Sequence, residues 1–176
     1  MRHIFIDAGC YDGDTVREFN DWKLLAYPES TEWEVYAFDA SPQFKEAWER
    51  DNSGAKFEQK AVWVEDGHTT FANCTDKHNL GSTLISGKDH WNIGERITVE
   101  CFDFSQWLKQ FDGCHVIVKM DIEGAEMPVL TKMIEDGTDT IPHKMFVEWH
   151  DHKIAGNTYD RNEIIKGYRG ELLTWR

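Results

Sequence analysis

Short apolar runs alternate with stretches of helical periodicity along most of this chain, and that alternation leaves few folds open. Strands joined by helix-length crossovers build parallel sheets from βαβ units. The first run is His3 to Ala8, and a helical pattern from about Asp14 follows, with Val16, Phe19 and Leu24 as its apolar stripe. Glu34 to Phe38 reads as a second strand. Ser41-Pro42 then supplies an N-cap and a first helical position ahead of Phe44, Ala47 and Trp48. A third strand is expected over Phe57 to Val64, with a turn at Asp66-Gly67 and a hairpin return over Thr69 to Ala72. Later strands are expected at Ile97 to Phe102, His115 to Met120, Lys144 to Trp149 and Leu172 to Trp175. Helices are expected at Ser105 to Phe111, Ala125 to Glu135 and Arg161 to Gly167. Pro128 suits its helix only within the first turn. This pattern predicts one mainly parallel sheet, with the first and the His115 strands adjacent at its centre.

The 176 residues are one domain's worth, and 40% hydrophobic content with eight tryptophans supports a packed core. No run of about 18 apolar residues is present to cross a membrane. Met1 leads directly into an apparent core strand, without the longer apolar region of a signal peptide, so a cytoplasmic location is expected. Four cysteines, Cys10, Cys74, Cys101 and Cys114, show no metal spacing and read as reduced thiols. The net charge of −13 argues against a nucleic-acid partner, which needs a basic footprint.

Chemistry concentrates at the ends of the expected strands. Asp7-Ala8-Gly9-Cys10-Tyr11-Asp12-Gly13-Asp14-Thr15 lies between a strand and a helix, where glycines allow a sharp turn and a close approach to a ligand. A dinucleotide turn would read GxGxxG, with the pyrophosphate on the helix N-terminus. Here the spacing is GxxxG, and the acid two residues before it would repel a pyrophosphate while suiting an ammonium group. Asp39 ends the second strand, where an acid reads a ribose diol. Three acids, Asp121, Glu123 and Glu126, gather where the His115 strand meets a helix, and capping that helix accounts for at least one of them. Glu148-Trp149-His150-Asp151-His152 offers either a base or a metal ligand set, or a hydrated loop. No residues are assigned to a metal from sequence. Asn73 to Glu95 is polar and aperiodic, and its length makes it a candidate substrate loop.

DAGCYDGDT, VYAFDASP, KAV at Lys60 to Val62, GSTL at Gly81 to Leu84, KMDIEGAEMPVL and FVEWH occur in one order along the chain. With these pieces it resembles the FkbM family of methyltransferases, and D-x-E-G-A-E is the most specific of them. The resemblance implies an α/β, Rossmann-like class I methyltransferase fold with S-adenosyl-L-methionine as cofactor. It also implies O-methylation of a small molecule, sugar or glycan. By position, Asp7, Gly9, Gly13 and Thr15 would hold the methionine end, Asp39 the ribose, and Ala61 and Val62 the adenine, with Phe38 also at the cofactor. Asp121 would adjoin the cofactor and, with Glu123, Glu148 and His150, assist the transfer. Two departures from the family pattern are Pro128 and a short C-terminal region, which predicts a reduced last hairpin. The rival readings are a non-catalytic module of the same fold and an NAD-linked oxidoreductase or epimerase, the latter lacking its third glycine.

Overall fold

The computed structural model describes residues 1–26, 32–50, 53–74, 81–86 and 93–175. Its main sheet contains β1 (His3–Ala8), β2 (Trp33–Phe38), β3 (Lys56–Glu58), β7 (His115–Met120), β8 (Pro142–Val147) and β9 (Leu172–Thr174), in the order β3-β2-β1-β7-β8-β9. Every pairing in it is parallel. Both faces must therefore be covered, and the period-2 pattern divides the core accordingly. Ile4, Ile6, Val116, Val118, Met145 and Val147 pack on one face against α3 (Phe104–Leu108), α4 (Glu126–Asp136) and Ile164 of α5 (Arg161–Gly167). Phe5, Val35, Ala37 and Ile117 pack on the other against Val16 and Phe19 of α1 (Asp14–Ala26) and Trp48 of α2 (Lys45–Glu49). The Leu24 side chain lies outside the described residues.

The central adjacency of β1 and β7 is as the sequence implies. Pro128 is the third residue of α4, where its missing N–H has no intrahelical acceptor to lose. Gly137, with φ 78, ends the same helix in the left-handed conformation. Among the described residues the sheet has six strands, and β9 adds to β8 in parallel rather than as part of an antiparallel hairpin.

The expected third strand is corrected. Phe57 to Val64 is two strands in two sheets, because Lys60 N–H donates to Glu58 O at 2.9 Å and bends the chain. Beyond that turn, β4 (Ala61–Trp63) joins β5 (Gly67–Cys74) and β6 (Ile93–Asp103) in a second sheet of order β4-β6-β5. The expected hairpin return does not form either. β5 pairs antiparallel with β6, while β4 pairs parallel with β6 from the other side. Ala61, Phe71, Val99 and Cys101 form the small core of this sheet with Ala40. Of the proposed substrate loop, residues 75–80 and 87–92 lie outside the described residues; Asn73 and Cys74 belong to β5, and residues 93–95 to β6.

Candidate active site

Chain order runs outward from β1 to β2 and β3 in one direction and from β7 to β8 and β9 in the other, so the switch point lies between β1 and β7. Ligands of open α/β sheets sit beyond the strand C-termini at this point. A cleft opens there, lined by Gly9, Tyr11, Phe38, Asp39, Ala61, Val62, Asp121 and Glu123. The two strand ends approach closely. A Cβ on Gly9 (φ +78) would stand 1.7 Å from Asp121 O, so no other residue fits this turn. Gly13 (φ +94) is fixed by different neighbours, since a Cβ there would meet the Trp48 ring at 3.2 Å.

Asp39 ties two cleft walls together. Its Oδ2 accepts from Tyr11 N–H at 2.9 Å and its Oδ1 from Ser41 N–H at 2.8 Å. Burial pushes its pKa up to about 7, against the opposing pull of the Ser41 and Tyr11 amides. A carboxylate has about four acceptor positions, so each oxygen keeps one for a ligand. Tyr11 itself is held with φ 49, and its carbonyl accepts from Trp48 Nε1 at 2.8 Å. Unusual backbone of this kind persists where neighbouring contacts enforce it.

Beneath the Gly9 turn lies a buried ion group. Asp7 and Lys119 are register partners on β1 and β7. Lys119 Nζ donates to Gly9 O at 2.7 Å and stands 3.2 Å from Asp7 Oδ1 and 3.5 Å from Asp121 Oδ2. Burial opposes the ammonium charge, but Asp7 and Asp121 outweigh it and raise the lysine pKa. Burial likewise lifts Asp7 to about 6, with Lys119 opposing.

Glu126 begins α4 with its carboxylate fully buried. It accepts from Ile122 N–H at 3.1 Å and from Gly124 N–H at 3.0 Å, and Oε1 lies 3.1 Å from His150 Nδ1. This folds the Asp121-to-Gly124 turn tightly, and Glu123 adopts φ 55 within it. Thr83, bridged to Ala72 of β5, holds that turn by donating from Oγ1 to Glu123 O at 2.6 Å. His150 Nε2 faces Glu123 Oε2 at 3.5 Å, Glu148 Oε1 at 3.6 Å and Asp121 Oδ1 at 3.9 Å. Burial lowers the imidazole pKa, but the Glu126 hydrogen bond and the surrounding carboxylates prevail and raise it. Burial raises Asp121 and Glu148 as well, with Lys119 opposing at the first and Asp121 adding at the second.

A family model described as Methyltransferase FkbM domain matches residues 7–169. The chain belongs to the FkbM methyltransferase family. No curated protein and no solved structure matches it.

In this FkbM methyltransferase the residues singled out from sequence separate into three groups. Gly9, Phe38, Asp39, Ala61, Val62, Asp121 and Glu123 line the cleft together. His150 and Glu148 are outside its lining but converge on Asp121 and Glu123. Asp7, Gly13 and Thr15 are not brought to the cleft surface. Asp7 faces Lys119, Gly13 fits under Trp48, and Thr15 lines a separate cavity with Phe5, Phe19 and Trp22. The sequence reading missed Tyr11, Ser41 and Lys119 as structural partners of the site. It also left out Glu126 as the group that orients His150, although helix capping by one acid of D-x-E-G-A-E was the signal for it. The four cysteines are free and buried, and no helix among the described residues is long and apolar enough to cross a membrane.

Proposed function

We propose that this methyltransferase uses S-adenosyl-L-methionine to O-methylate a hydroxyl of a small molecule, sugar or glycan. The observation that carries the reading is the meeting of two chemistries in one cleft. Asp39 and the apolar residues Phe38, Ala61 and Val62 line the same cleft as Asp121 and Glu123. The first set suits a nucleoside, and the second suits a hydroxyl that must lose a proton.

The residues fit the cofactor in a specific way. The remaining acceptor positions of Asp39 suit the two ribose hydroxyls, and the Ala61-Val62 strand gives a flat apolar support for adenine. The cofactor supplies an activated methyl group on a sulfonium. The protein's contribution is then alignment: a near-attack geometry accounts for most of the acceleration, with modest base assistance. Lys119 fixes the Gly9 carbonyl and thereby the turn on which the methionine end would rest. Asp121, Glu123, Glu148 and His150 stand where they can assist loss of the hydroxyl proton, and burial raises the carboxyl pKa of Asp121 and Glu148 and so makes them stronger bases. We place the reaction in the cytoplasm, where four buried free thiols are at home.

The test is transfer from cofactor carrying a 13C-methyl group into pools of sugars and small hydroxylated metabolites. New carbon signals at the shift of a methyl ether support the reading. Label found on nitrogen or carbon, with none on oxygen, overturns O-methylation.

A further inference from the structure

On its Nε2 side the His150 cluster has separations longer than direct hydrogen bonds. The imidazole side chain is 2% exposed. Its Nδ1 faces Glu126 Oε1, and that carboxylate already accepts from two backbone N–H groups, so Nδ1 carries a hydrogen and donates it. Nε2 is thereby aimed at the cleft side, toward the carboxylates at 3.5, 3.6 and 3.9 Å. A charge-assisted hydrogen bond would bring the atoms to about 2.7–2.9 Å, and none of the three comes that close. Donors about 2.0–2.2 Å from a metal, at tetrahedral or octahedral angles, stand about 3.0–3.6 Å apart. The Glu123 separation of 3.5 Å falls in that range, and the Asp121 separation of 3.9 Å is a few tenths of an ångström wider, which a small side-chain adjustment closes.

Two further features agree. Asp121 Oδ1 is buried and accepts no hydrogen bond, because Lys119 reaches the carboxylate through Oδ2. The Glu126–His150 contact also has a recurrent partner arrangement. Imidazoles that bind metals donate their other N–H to a carboxylate or carbonyl, which fixes the tautomer. One ligand atom from each of Asp121, Glu123 and His150 falls within 4.8 Å of the other two.

We propose that Asp121, Glu123 and His150 bind a divalent metal ion at the edge of the methyl-donor cleft. Two carboxylates and one imidazole suit Mn²⁺ or Zn²⁺ better than a thiolate-preferring ion. Three protein ligands leave coordination positions open, and the acceptor hydroxyl fits one of them. An oxygen bound there would be more acidic. That catalytic use rests on the methyltransferase reading above, whereas the binding itself does not.

The experiment titrates chelator-stripped protein with Mn²⁺ and follows free ion by electron paramagnetic resonance, with S-adenosylhomocysteine binding measured separately by calorimetry. One Mn²⁺ per chain is expected. Glu123→Gln and His150→Ala should each weaken it at least tenfold, Glu46→Gln should leave it unchanged, and Zn²⁺ should displace it. Glu123 lies in a surface turn, so its variant keeps the test valid if His150→Ala fails to fold. No Mn²⁺ binding at millimolar concentration, or equal binding by wild type and Glu123→Gln, overturns the metal site. If S-adenosylhomocysteine binds without Mn²⁺ binding, the metal site falls and the methyl-donor reading stands. If Mn²⁺ binds with the expected variant losses but S-adenosylhomocysteine does not, the metal site stands and the methyl-donor reading falls.

Discussion

Replacing Asp39 with alanine should damage two properties at once. In the unliganded protein its oxygens accept from Tyr11 N–H and Ser41 N–H, joining the β1 turn to the start of the helix after β2. Hydrogen bonds to a charged group are worth about 1.5–3 kcal/mol each. Water in the open cleft replaces part of that, and relief of a buried carboxylate returns some more. A net loss of about 2–3 kcal/mol follows, or about 4–12 °C in Tm for a chain of this size. The acceptor positions that remain on Asp39 are the proposed ribose contacts, and losing them should weaken S-adenosylhomocysteine binding about 10- to 150-fold. Asp39→Asn is not benign either. Its amide NH₂ must face either the Tyr11 or the Ser41 N–H, so one tie is lost and one ribose contact with it. Calorimetry and thermal melting on the same samples check both effects. A lowered Tm with unchanged affinity makes Asp39 a loop tie only and removes it from the ribose site.

Three other perturbations follow from the same geometry. Gly9→Ala should fail to give soluble folded protein, because its Cβ would overlap Asp121 O, whereas Gly54→Ala, with nothing within 4 Å, should lose only about 1 kcal/mol by thermal melting. Lys119→Met should cost about 3–5 kcal/mol in denaturant unfolding by leaving Asp7 buried without its cation, and adding Asp7→Asn should recover much of that loss; a double variant no more stable than the single would contradict the pairing. The Asp39 carboxyl is raised from an ordinary 3.8 to about 7 in the folded protein, so its contribution to stability is greatest below about pH 4 and is lost as pH rises through about 7. The ribose hydroxyls of the proposed cofactor would donate to the ionised form, so affinity should run the other way, falling by up to about tenfold per unit below pH 7 and flattening above it; a flat affinity profile from pH 5 to 8 would contradict the proposed contact.

Much of the fold was legible because local chemistry and tertiary structure agree. His3 to Ala8, His115 to Met120 and Arg161 to Gly167 form their elements at the expected bounds, and Ser41 caps the turn it precedes. Phe57 to Val64 misled because apolar content does not reveal which of two sheets a strand joins; the bend at Lys60 decides that. In the site, Asp39 was legible from its place at the end of the second strand, whereas Ala61 and Val62 came only from the family resemblance; all three line the cleft. Other partnerships could not be read from sequence. Lys119 meets Asp7 through register between β1 and β7, and His150 meets Glu126 across 24 residues of chain. Gly13 and Thr15, which the family resemblance places at the methionine end, lie against Trp48 and in a separate cavity respectively, neighbours that sequence alone does not reveal.

Binding of S-adenosyl-L-methionine in the cleft between β1 and β7 is what the proposed function requires first. Calorimetric titration at pH 8 compares S-adenosyl-L-methionine, S-adenosylhomocysteine and NAD in parallel. Binding of the first two at micromolar level with one site per chain is expected, with NAD far weaker. Preferential binding of NAD, or no binding of either methyl-donor compound to folded protein, would contradict it.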